Sequence, residues 1–235
     1  MSDAEKVCLV TGVGPGTGRS IAKRFADAGY RVAMLARDEQ RLATIAEEQA
    51  GTYAYPCDVV DYAALEDAVN RITNDLGPIH TVIHNAVGAV LMNYLELDPE
   101  DLRRNFEINT VALLRLAQMI TPSMIERGEG VLLATGNTSA YRGKANFAGF
   151  APTKAAQRIM LESIARHSGP MGVHAAYIAI DAVIDVPWTR EMFSDKPDEF
   201  FCQPDDIAQV CFDVARQSET AWSSDIVIRP YCESW

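Results

Sequence analysis

Basic residues are scarce in this chain. Lys and Arg number 21 against 32 Asp and Glu over 235 residues, a formal net charge of -11. That balance argues against nucleic acid or an anionic membrane surface as the main partner, and it serves solubility. It does not exclude a phosphate-bearing ligand, because such a site depends on local backbone dipoles. Long apolar runs are also missing: none approaches the roughly 20 residues needed to cross a bilayer. The first residues, Met-Ser-Asp-Ala-Glu-Lys, are polar and acidic, unlike a signal peptide. Cysteines are few and scattered (Cys8, Cys57, Cys202, Cys211, Cys232), odd in number and without a C-x-x-C pair. Neither a zinc site nor a disulfide framework is expected, and the compartment reads as cytoplasmic. His80 and His84 flank a strand-like segment, where they would stand about 13 Å apart, too far to share an ion. No metal is expected.

What the chain does have is an alternation of short apolar runs and amphipathic stretches. Val7–Val10, Arg31–Ala36, Thr52–Tyr55, Thr81–His84, Val131–Thr135, Val173–Ile180 and Ile226–Ile228 read as strands, continuously apolar as in parallel sheets covered on both faces. Ser20–Ala28, Asp38–Gln49, Asp61–Leu76, Leu102–Arg127 and Thr153–Arg166 read as helices. Repeated β-α-β units predict an α/β fold: a Rossmann-type doubly wound parallel sheet of about seven strands with helices on both faces. One domain over residues 1–235 is expected. The longest irregular piece runs from Asp185 to about Pro204 and reads either as a substrate lid or as a surface connection. Its Trp188, Met192, Phe193, Phe200 and Phe201 either line an apolar pocket or pack under the loop.

The first strand runs into Gly12, Gly14, Gly16, Thr17 and Gly18, then a helix. A pyrophosphate approaches backbone N–H groups only where side chains are absent, and the helix N-terminus adds partial positive charge. The turn is therefore expected to cradle a dinucleotide, the alternative being a turn whose glycines only let helix and strand pack closely. Strand two ends in Ala36-Arg37 rather than a carboxylate. An arginine there suits the 2′-phosphate of NADP, with NAD the less favoured cofactor.

The spacing T-G-x-x-x-G-x-G, met by Thr11, Gly12, Gly16 and Gly18, resembles that of the short-chain dehydrogenase/reductase family. Further matches follow in order: Asp58-Val59, Asn85-Ala86, Asn109 and Lys154. The resemblance implies that Asp58 and Val59 contact adenine, that Asn85 and Ala86 line the cofactor groove, that Asn109 supports a water relay, and that Lys154 holds the nicotinamide ribose. It also implies pairing through the long helix Leu102–Arg127 and the next one into a homodimer or homotetramer. Leu113, Leu114, Leu116, Met119 and Ile120 give the long helix more apolar surface than one sheet face requires.

The departures cluster where catalysis is expected. The family's Tyr-x-x-x-Lys pair is here Phe150-x-x-x-Lys154. Thirteen positions earlier, Asn137 fills the serine slot, with Thr138 beside it; Val87 replaces the last glycine of N-N-A-G, and Asp181-Ala182 replaces Pro-Gly. The chain is similar to a divergent branch of the family with phenylalanine in the tyrosine slot. Phenylalanine supplies neither proton nor hydrogen bond. Asn137, Thr138, Ser139, Tyr141, Asp181 and Lys154 are the candidate replacements. Two functions stay open: an oxidoreductase acting on a small carbonyl or alcohol with a modified acid system, or a catalytically silent NADP-binding sensor or structural subunit.

Overall fold

A computed structural model describes residues 6–233. Its main strands are β1 (Val7–Thr11), β2 (Arg31–Ala36), β3 (Thr52–Pro56), β4 (Ile79–His84), β5 (Gly130–Asn137) and β6 (Val173–Ile180). After a small pair, β7 (Val183–Ile184) and β8 (Phe201–Cys202), the chain returns as β9 (Asp225–Ile228). The central sheet is parallel, in the order β3-β2-β1-β4-β5-β6-β9. The winding reverses between β1 and β4, and this opens a crevice at their carboxyl ends.

Alternation along each strand divides the core into two layers. Val7 and Leu9 of β1 face one layer, with Leu132, Ala134 and Tyr177. That layer is closed by α3 (Tyr62–Leu76), α5 (Ala112–Arg127) and α6 (Ala151–Ser168) through Leu65, Ile72, Leu113, Leu116 and Leu161. Cys8 and Val10 face the other, under α1 (Thr17–Asp27), α2 (Glu39–Glu48) and α8 (Pro204–Ala215), which contribute Ile21, Phe25, Leu42 and Phe212. The edge strand β3 departs from the continuous apolar pattern, since one face meets solvent and Tyr53 is 39% exposed.

The helix boundaries follow capping chemistry. Asp38 and Asp61 accept the N–H groups of Arg41 and Ala64 and start α2 and α3. The helix expected over Leu102–Arg127 is three pieces. It begins as α4 (Pro99–Phe106), with Asp98 accepting from Glu100 and proline in the first turn, and a π-helical turn (Glu107–Val111) then separates α4 from α5. The expected loop 185–204 is also more regular than its sequence reads, for it follows β7 directly and holds α7 (Pro187–Met192) and β8. Pro187 and Pro204 sit in first turns, so they start helices instead of breaking them. No helix among the described residues is long and apolar enough to cross a membrane.

Candidate active site

The glycine turn is shaped by contacts that a side chain would block. Gly12 has φ 69°, and a Cβ there would lie 2.5 Å from the backbone of Ala86; a Cβ on Gly18 would lie 2.4 Å from the Gly12 carbonyl. Over Gly14 the space is open, with nothing within 4 Å of an added Cβ. Gly16 caps α1 without a side-chain hydrogen bond, so the first N–H groups of α1 face this opening unspent by any cap. Thr17 is buried at the first position of α1. At the end of β2, Arg37 is exposed beside the Asp38 cap. Asp58 turns its carboxylate onto the Val60 N–H, while Val59 is buried with Ala86 and Ala112.

Beneath the turn, a hydrogen-bonded knot joins three strand ends. Asn85 donates from Nδ2 to the Gly12 carbonyl at 2.9 Å and accepts from the Thr135 hydroxyl at 2.8 Å. Thr11 accepts from the N–H groups of Asn85 and Ala86, which leaves its hydroxyl proton for Nδ1 of His84. The other ring nitrogen of His84 donates to the Ile108 carbonyl in the π turn at 2.9 Å. Burial, together with the charge on Lys154, pushes the imidazole down to about 3, so it stays neutral. A glycine does follow Val87, and a Cβ on Gly88 would sit 2.7 Å from Asn105 Oδ1.

Lys154 lies 2% exposed under this knot. Its Nζ donates to the Thr135 carbonyl at 3.3 Å and to Oε1 of Gln157 at 2.9 Å, and stands 5.8 Å from the centre of the Phe150 ring. Burial alone pushes the ammonium down to about 7. Phe150 caps α6, and its carbonyl accepts the Lys154 N–H at 3.2 Å, so the two residues are one helical turn apart despite Pro152. The ring is buried against Phe147. Asn109 is fully buried, its side chain bonded to both backbone groups of Gly88 and to Thr153. Its backbone carbonyl accepts from Nε2 of Gln157 at 2.6 Å.

Several candidate acids are committed elsewhere. Thr138 donates to Asp181, which also faces Arg142 and Arg229, each at 3.8 Å. Tyr141 donates to Asp225 on β9, and burial plus that carboxylate push its phenol well up. Asn137 spends its side-chain oxygen on the Ser139 N–H, keeping an amide donor but no transferable proton. Gln157 escaped the sequence reading. The signal was an amide three residues after Lys154 on the buried stripe of Ala151, Thr153 and Leu161.

The segment after β6 reaches back to the phosphate turn: a Cβ on Gly16 would lie 2.5 Å from Cγ1 of Val186. Asp185 and Arg190 form a two-pronged pair at 2.6 and 2.7 Å, and Arg190 also holds Asp198. Phe193, Phe200 and Phe201 pack on one another, whereas Trp188 and Met192 stay exposed. The aromatics of this segment thus divide between packing and an apolar surface. Among the described residues, no group of three or more His, Cys, Asp or Glu could hold a metal.

A parallel doubly wound sheet with an open glycine cradle at its switch point defines a dinucleotide-binding α/β protein. The short chain dehydrogenase family model matches residues 6–196, and the chain belongs to that family. It is 29% identical over 193 residues to L-xylulose reductase of Bos taurus, covering 82% of this chain and 77% of that protein. Its fold matches an alcohol dehydrogenase of Thermococcus sibiricus complexed with 5-hydroxy-NADP (TM-score 0.86, 24% identity, 97% of this chain and 98% of that one). It also matches an NADPH-bound short chain oxidoreductase of Pseudomonas aeruginosa PAO1 described as containing an atypical catalytic center (TM-score 0.88, 19% identity, 98% and 97%). The chain is accordingly of the NAD(P)-dependent oxidoreductase type.

Proposed function

We propose that this protein is an NADP(H)-dependent reductase of small carbonyl compounds that works without a tyrosine acid. The observation carrying the reading is a buried lysine joined through Thr135 and Asn85 to the glycine turn at an uncapped helix N-terminus. When bound, NADPH supplies the hydride that reduces the carbonyl carbon. The N–H groups of Gly16 and the start of α1 would receive the pyrophosphate, and Asn85 keeps that turn in place through Gly12. Arg37 favours the 2′-phosphate, in keeping with the NADP-type ligands of the two structural relatives. Asp58 and Val59 would border the adenine, Asn85 and Ala86 would line the cofactor groove, and Asn109 fixes Gly88 beside them. Asn137 polarises the substrate oxygen through its amide, and the Phe150 ring is the apolar wall beside the reacting carbon.

The named activity of the bovine relative supports a ketose or similar small carbonyl as the first substrates to try. A homodimer or homotetramer and a cytoplasmic location belong to the same reading. Support for pairing is narrower than the sequence implies, because Leu113, Leu116 and Ile120 are core residues and Leu114 of α5, with Ile159 of α6, is what remains outside. Titration with NADPH and NADH, followed by turnover across ketoses, aldehydes and alcohols, tests the proposal. Tight NADPH binding with no turnover of any carbonyl would instead favour a silent NADP-binding sensor, the role that loss of the tyrosine hydroxyl permits.

A further inference from the structure

Gln157 makes two hydrogen bonds with no counterpart in the sequence motifs. It is fully buried, accepts from Lys154 Nζ at 2.9 Å and donates to the Asn109 carbonyl at 2.6 Å. That carbonyl lies in the π-helical turn between α4 and α5, where the ordinary i to i+4 ladder is interrupted. A side-chain amide thus ties the lysine to the main chain of a neighbouring helix. An ammonium has three N–H groups. Thr135 and Gln157 take two of them, which leaves one N–H, with the Phe150 ring centre 5.8 Å from Nζ.

We propose that Gln157 is the positioning residue of Lys154, aiming its remaining N–H into the crevice so that Lys154 itself donates the proton that Phe150 cannot. This rests on the reductase reading above. As hydride adds to the carbonyl carbon, the C=O π bond opens. An N–H bond of the ammonium breaks to form the alcohol O–H, and the neutral amine recovers its proton from water after the product leaves. Burial brings the ammonium to about 7, where it can both give and regain a proton near neutrality. Around Lys154 stand Thr135 on β5, Gln157 and Phe150 on α6 and, on β4, His84, which is neutral and contributes no charge of its own.

The test combines the titration of Lys154, followed by 13Cε NMR in the full-length protein (which has five lysines), with pH profiles of NADPH-dependent carbonyl reduction. Gln157→Glu places a carboxylate against the ammonium and should move both midpoints alkaline by about one pH unit or more. Gln157→Met removes the acceptor at similar volume and should move both midpoints acid. Lys154→Arg, which keeps the charge but releases no proton, should abolish reduction while NADPH still binds. If the two Gln157 variants melt at altered temperature but leave both midpoints in place, Gln157 is packing alone and the proposal is overturned. If the Lys154 titration moves and the rate profile does not, Lys154 is not the donor and the proposal is likewise overturned. Absence of carbonyl turnover in the wild type would defeat the reductase reading and the donor role with it. The opposed NMR shifts would still decide whether Gln157 positions Lys154.

Discussion

Replacing Lys154 with methionine should stabilise the protein at neutral pH, by an amount that shrinks as the pH rises. In the unfolded chain this amine titrates near its ordinary 10.5, whereas burial in the folded protein brings it to about 7. Between those values the unfolded state holds about one more proton than the folded state. Wild-type stability therefore rises with pH there, by about 1.4 kcal/mol per pH unit. Over the full interval the confined ammonium costs on the order of 5 kcal/mol at and below pH 7, and nothing above 10.5. Loss of the bonds to Thr135 and Gln157 adds a constant offset to the variant, so the slope is the quantity to read. Urea unfolding of both proteins, followed by tryptophan fluorescence at pH 7, 8 and 9, should show the difference shrinking by roughly 2–3 kcal/mol. A difference independent of pH would refute the confinement of Lys154 and the chemistry built on it.

Phe150→Tyr introduces a phenol about one ring away from Lys154 and should raise carbonyl reduction by roughly tenfold to a hundredfold, with NADPH affinity within about twofold. Stopped-flow hydride transfer checks this, and unchanged rates would place the ring away from the substrate. Arg37→Ala should cost roughly 1.5–3 kcal/mol of NADPH affinity, about tenfold or more, with NADH affinity nearly unchanged in parallel calorimetric titrations. Gly18→Ala drives a methyl to 2.4 Å from the Gly12 carbonyl and should lower stability by roughly 1–3 kcal/mol and weaken NADPH binding, read by thermal melts with and without cofactor. Leu114→Asp should leave folding intact but reduce the mass measured by light scattering, since Leu114 is outside the protomer core.

The sheet was legible because its strands are short, apolar and separated by capped helices, and all seven main strands lie where the apolar runs put them. The π turn was not, since Glu-Ile-Asn-Thr-Val carries no pattern that distinguishes i to i+5 hydrogen bonding from a continuing helix. The segment 185–204 misled because proline marks a break in sequence but is favoured in a first helical turn, as Pro187 and Pro204 show. At the site, the glycine turn was legible from its place between a strand and a helix, whereas Asn85 and Lys154 were singled out through the family resemblance. The fate of Thr138, Tyr141 and Asp181 could not be read, because each partner comes from a distant strand or loop: Thr138 with Asp181, and Tyr141 with Asp225. Gln157 was hidden for the opposite reason, being a polar residue that the burial of its own helix face conceals.

The Asn85 amide has a consequence for how the crevice opens. Its two bonds lash the turn after β1 and the end of β5 to the start of the loop after β4, so none of these three can separate from its neighbour without breaking the same side chain's contacts. Their backbone amides belong to one cooperative opening unit, and they should exchange with deuterium at a shared rate set by the rarest excursion among them. Excursions that leave these bonds intact should be confined to the exposed apolar residues of the loop after β4 and to Trp188 and Met192. The floor should open as a block or not at all.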